Sequence, residues 1–148
     1  MRKFPIRFAL SLAIPLAGCF EDTSSIKSAI VPPDYQTQFL LTRACQADTA
    51  TAHGQGYQII RANALAMQGP PYAEGSVFVS ELHGDSACDS LQAIHAMAKE
   101  KPGYDPDHGD WHWQRLNSVQ RILEDGKVAT CATCHEACAP SDRACSRR

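Results

Sequence analysis

Apolar positions along this chain change period partway through. Tyr35, Phe39, Leu40 and Ala44 fall at helical spacing, with Asp34 placed to cap the first turn, and predict a helix over residues 35–51. Tyr57, Ile60, Ala64 and Met67 recur at three- and four-residue steps and predict a second helix over residues 57–68, which Gly69-Pro70-Pro71 ends. The period then falls to two. Val77 and Val79 alternate against Ser76, Phe78 and Ser80, predicting a strand over residues 76–82 before a turn at His83-Gly84-Asp85. Residues 90–101 fit two patterns: Leu91, Ile94 and Ala98 suit a helix face, whereas Ile94, Ala96 and Ala98 suit one face of a strand. Local propensity, through three alanines and Met97, favours the helix. A turn-rich loop over residues 102–109 leads to Trp111 and Trp113 alternating against His112 and Gln114, a strand over residues 110–117. Its aromatic face either fills the core of a small sheet or packs on something large and flat.

The first residues follow a different logic. Arg2, Lys3 and Arg7 precede a short apolar run over residues 8–17, the form of a secretory signal peptide and too short for a membrane-spanning helix. Leu16-Ala17-Gly18-Cys19 has the form of a lipobox, which makes Cys19 the lipidated first residue of the mature chain. An ordinary cleavage site with Cys19 incidental is the competing interpretation. Phe20 rather than Asp after Cys19 favours sorting to the periplasmic side of a bacterial outer membrane. Residues 19–34 carry no apolar periodicity, end in Pro32-Pro33, and suit a flexible tether. That leaves residues 35–148 as one domain.

Loss of residues 1–18 removes three of the fourteen basic residues and none of the sixteen acidic ones, so the mature chain has a formal charge of −5. An acidic chain without a basic patch argues against nucleic acid as a partner. Seven cysteines in an exported chain point to bonded rather than free thiols. Cys45, Cys88, Cys138 and Cys145 are the disulfide candidates; they allow three pairings, and sequence does not choose among them.

The densest chemistry lies at Cys131-Ala132-Thr133-Cys134-His135, a Cys-x-x-Cys-His run. This is the form of a covalent c-type haem site: two thiols on one helical turn reach the two vinyl groups of one haem, and the next residue offers an imidazole to the iron. His135 is therefore the expected metal ligand. Two other readings compete. A Cys131–Cys134 redox couple normally opens a strand-helix-strand unit, and none follows here. A zinc site of Cys131, Cys134, His135 and Cys138 would need adjacent Cys and His ligands, which suit a tetrahedral site poorly.

Taken in order, His53-Gly54, Tyr72-Ala73-Glu74-Gly75-Ser76-Val77, Lys99-Glu100-Lys101-Pro102-Gly103-Tyr104-Asp105, Gly109-Asp110-Trp111-His112-Trp113 and the terminal Cys-x-x-Cys-His resemble the cytochrome P-460 and cytochrome c prime-beta family over most of residues 35–148. The resemblance implies an α+β fold, a mainly antiparallel β-sheet with a few helices, and so a strand over residues 93–101 against local propensity. It implies one covalent haem c on Cys131, Cys134 and His135 and an open far side, and a haem is one large flat object on which the aromatic face of Trp111 and Trp113 would pack. Some members bind nitric oxide and carbon monoxide; others oxidise hydroxylamine, using a lysine cross-linked to the haem. Lys99 and Lys101, with Glu100 between them, are the candidates for such a role here. The four further cysteines and the short tail after His135 depart from the family pattern.

Two functions follow. One is an open haem that binds or redox-converts small nitrogen species, with Glu81, Glu100, His95 and His112 as acid-base candidates. The other is a membrane-tethered electron carrier in which Met67, Met97, His53, His83, His95, His108 or His112 closes the iron. The expected partners are a small gaseous or nitrogenous ligand, a redox protein and a membrane reached through the lipid; a homodimer is left open.

Overall fold

Six strands follow one another in a simple meander, each antiparallel to the last: β1 (Leu40–Asp48), β2 (Gly56–Ala62), β3 (Val77–His83), β4 (Leu91–Lys99), β5 (Trp111–Asn117) and β6 (Ile122–Gly126). The computed structural model describes residues 28–48 and 53–145, so the expected signal peptide and Cys19 lie outside the described residues. A single helical turn, α1 (Tyr35–Gln38), precedes the sheet, and α2 (Ala129–His135) follows it. The mainly antiparallel sheet with a few short helices is the expected class.

Both faces of the sheet are covered, because alternate residues of its central strands point to two separate clusters. Val77 and Val79 of β3, Ile94, Ala96 and Ala98 of β4, and Leu116 of β5 meet Val31 and Tyr35 from the N-terminal segment. On the other face Met97, Trp111 and Trp113 meet Ala132 of α2, with Tyr72 and Phe78 alongside. Val31 is 1% exposed, so the last part of the expected tether is packed into the domain. Its neighbour Ile30 donates its backbone N–H to Gln114 Oε1 at 2.7 Å.

Two expected helices are strands. Only Tyr35–Gln38 of the first is helical; residues from Leu40 pair with β2, and Cys45 is bonded to Cys88 in the β3–β4 loop. The helical spacing there was coincidental: β1 is an edge strand that leaves Leu40 and Leu41 half exposed. The second expected helix is β2, followed by a separate 3-10 turn at Ala66–Gln68. Its inward row is Gln58, Ile60 and Ala62, and the polar Gln58 conceals the two-residue period. Residues 91–99 form a strand, as the family resemblance implied and propensity did not, because pairing on both sides with β3 and β5 outweighs a weak local preference. His83, expected in a turn, is the last residue of β3. The short, polar β6 had no sequence signal.

Candidate functional site

The helix α2 is short, and its inner face is set by spacing. Cys131 and His135 stand four residues apart and therefore on one side, with Ala132 between them buried to 1% against Trp111 and Trp113. Cys134 turns to the exposed rim. Both thiols are free of any disulfide, while the other two pairs are bonded, Cys45 to Cys88 and Cys138 to Cys145. This removes Cys138 from a zinc set. Among the described residues no group of three or more His, Cys, Asp or Glu is arranged to hold a metal ion.

His135 donates from Nδ1 to the carbonyl of Arg143 at 2.7 Å. That bond fixes the neutral tautomer with Nε2 unprotonated, the arrangement found in metal-ligating histidines. Burial lowers its pKa and keeps the ring neutral. The carbonyl is held in turn by a small framework. Asp142 and Arg143 both have left-handed backbones, φ +48° and +62°. The carboxylate of Asp142 accepts from Lys99 Nζ at 2.7 Å and from the Tyr72 backbone N–H at 3.0 Å; its carbonyl accepts from Trp111 Nε1 at 2.9 Å. The Cys138–Cys145 disulfide closes the same loop.

In front of His135 lies a cavity of about 420 Å³ between α2 and the sheet. Its walls are mainly apolar, with Ile60, Phe78, Met97 and Trp113 from four successive strands of the sheet. The Trp113 ring is 4.7 Å from that of His135. Against this wall stand a few polar groups: Gln58, Ser80, His53 and His95. His53 and His95 stack at 4.6 Å with a 14° interplanar angle, and His53 is 6.0 Å from His135. Burial lowers the pKa of both His53 and His95, the latter to about 4, so both are neutral near pH 7. The buried Trp113 Nε1 and His95 Nδ1 have no hydrogen-bond partner.

These features fit a c-type haem: two free thiols on one helical turn, a tautomer-fixed imidazole beside Cys131, an apolar slot, and unpartnered polar atoms on residues of its wall. Cys131, Cys134, His135 and Trp113 are brought together. Trp111 is fully buried behind the wall and does not line the cavity. The other lysine-loop residues lie elsewhere. Lys99 is held by Asp142 and sits 5.0 Å over the Trp111 ring, Glu100 accepts from His112, and Lys101 is exposed. Glu81 and His83 pair with each other on the opposite sheet face, and His108 pairs with Asp105. Of the sixth-ligand candidates, Met67, Met97, His53 and His95 line the cavity. Gln58 and Ser80 had no sequence signal, since a polar residue in a strand gives no sign of which row it joins.

The family model described as cytochrome P460 matches residues 32–144. No curated protein matches the chain.

Proposed function

This chain belongs to the cytochrome P460 family, a family of haem proteins with chemistry toward nitrogen species, and from that premise we propose that it carries one covalently bound haem c in an open, ligand-accepting site. Cys131 and Cys134 would form the two thioether bonds, and His135 would supply the axial imidazole. The observation that carries this reading is the Nδ1 bond to the Arg143 carbonyl, which leaves the His135 Nε2 lone pair on a wall of the cavity. When bound, the haem supplies a redox-active iron that takes small neutral ligands such as nitric oxide or hydroxylamine. The chain itself contributes the imidazole, a mainly apolar slot, and a small set of polar groups on its wall.

Among the described residues no lysine lines the cavity, and the reading is therefore of a haem without a lysine cross-link. The second reading, an electron carrier with a sixth ligand, is favoured by Met67, Met97, His53 and His95 on the cavity wall. We place the mature protein on the periplasmic side of the outer membrane, tethered through Cys19 and exchanging electrons with a redox protein, on the strength of the signal and lipobox pattern.

Mass spectrometry and optical spectra of the mature protein test both. The expected result is one haem-sized mass addition, lost when Cys131→Ala and Cys134→Ala are combined. The reduced protein is expected to bind carbon monoxide and to lack a red-shifted absorption band. His135→Ala changes the coordination and leaves the mass addition in place. A resting low-spin spectrum that refuses carbon monoxide selects the electron carrier instead.

A further inference from the structure

Polar residues contributed to the cavity wall by β1, β2, β3 and the segment before β2 form a directed chain. Arg43 Nη1 donates to Gln58 Oε1 at 2.9 Å. A guanidinium has only donors, so it fixes the amide with its oxygen toward Arg43 and its NH₂ group toward the interior. That NH₂ group meets Ser80 Oγ at 2.7 Å and His53 Nδ1 at 3.2 Å. Ser80 Oγ is itself 3.5 Å from the same nitrogen. The Gln58 NH₂ group can only donate, so His53 Nδ1 is the acceptor and the ring proton resides on Nε2. Gln58 is 5% and Ser80 9% exposed, so water does not compete for these bonds.

His53 is held in place as well as in tautomer. The chain passes it with Gly54 at φ +111°, where a Cβ would come within 2.7 Å of Leu82. His95 stacks flat on its ring. His53 and His135 both line the cavity, their rings stacked at 6.0 Å, and they differ in tautomer: His135 carries its lone pair at Nε2 and His53 an N–H, with the Asp48 carboxylate on the same wall.

We infer that His53 is a hydrogen-bond donor to the small molecule bound in the cavity, with Gln58 and Arg43 as positioning residues that set its tautomer and thereby keep it from closing the iron. This rests on the open-haem reading and names the group that recognises the ligand. It selects guests carrying a lone pair on the atom nearest His53, as nitric oxide and hydroxylamine do.

The test uses the haem-loaded protein. His53→Leu is expected to move the infrared C–O stretch of the reduced carbon monoxide complex to higher frequency, because a donor at the ligand lowers it. Fluoride affinity of the oxidised protein should fall about two- to tenfold, the loss of one hydrogen bond. His53→Gln, which keeps an N–H, should restore part of both. Gln58→Glu replaces the donor with an acceptor, forces the proton to Nδ1 and exposes the Nε2 lone pair; its resting spectrum should become six-coordinate and low-spin. An unmoved C–O stretch in His53→Leu overturns the inference while leaving the open haem standing. A wild-type resting spectrum that is low-spin and becomes high-spin only in His53→Leu overturns the inference and the open-haem reading together, since His53 would then be a ligand. A mature protein without the haem mass overturns both readings together.

Discussion

A single buried carbonyl decides what His135 can do, and the residues that hold it are more telling than the ring itself. Trp111 is the largest of them: fully buried, it donates to the Asp142 carbonyl and lies under Lys99 Nζ. Trp111→Ala should cost about 3–5 kcal/mol in denaturant unfolding, the usual range for truncating a buried aromatic. A second residue-scale prediction concerns His95. Burial first, and then the neighbouring His53, hold its pKa down to about 4, against roughly 6.5 in the unfolded chain. Between these values the unfolded chain takes up a proton that the fold refuses, so stability falls as pH drops from about 6.5 to about 4, by up to about 3 kcal/mol. Unfolding free energies measured across that range should decline in the wild type and decline less in His95→Gln. The directed chain from Arg43 to His53 could not be read from sequence: it depends on which residues of β1 and β2 face one another, a matter of register that spacing along the chain does not encode.

Among elements, those with a plain alternation were legible and those that interrupt it were not. The alternating tryptophans of β5 and valines of β3 announced their strands. Gln58 in the inner row of β2 and the exposed leucines of the edge strand β1 imitated helices. The Cys-x-x-Cys-His spacing presumes one helical turn, and α2 supplies it. The loop after α2 was not legible, since its geometry comes from Asp142 reaching back to Lys99 and Tyr72. The two disulfides separate stability from site geometry. Cys45→Ser with Cys88→Ser opens a link spanning 43 residues and should cost about 4 kcal/mol while leaving the haem spectrum unchanged. Removing Cys138 and Cys145, which span 7 residues, should cost less, about 2.5 kcal/mol, yet alter the axial-ligand band because the Arg143 carbonyl loses its brace. Denaturation and optical spectra on the same two variants decide it.

The whole molecule is a sheet with a different task on each face. One face carries the cavity; the other is closed by residues 28–39, whose Gln36 and Tyr35 lie over a buried carboxylate, Glu81. Burial alone would raise the pKa of Glu81, but hydrogen bonds from His83 and Arg61 outweigh it and bring it below the ordinary value. A depressed carboxylate stabilises the fold above the unfolded pKa, near 4.5, and that contribution disappears as pH falls through the folded value. Acid should therefore loosen the N-terminal segment, and Glu81→Gln, which weakens the charged hydrogen bonds from Arg61 and His83, should destabilise by about 1.5–3 kcal/mol at neutral pH. Proteolysis within residues 28–34 at pH 4 and pH 7 measures the first effect and thermal unfolding the second.

The pairing of Cys138 with Cys145 also bears on how the protein is made. Four thiols occupy positions 131, 134, 138 and 145, and the proposed covalent haem needs the last two paired with each other while the first two stay reduced. Cys134 and Cys138 are only four residues apart, close enough to trap each other first. On the proposed covalent attachment, maturation has a required order, with a reductant at hand when haem is joined. Cells denied that reductant should accumulate colourless chain, and Cys138→Ser with Cys145→Ser should not recover pigment in them, since Cys131 and Cys134 still pair with each other.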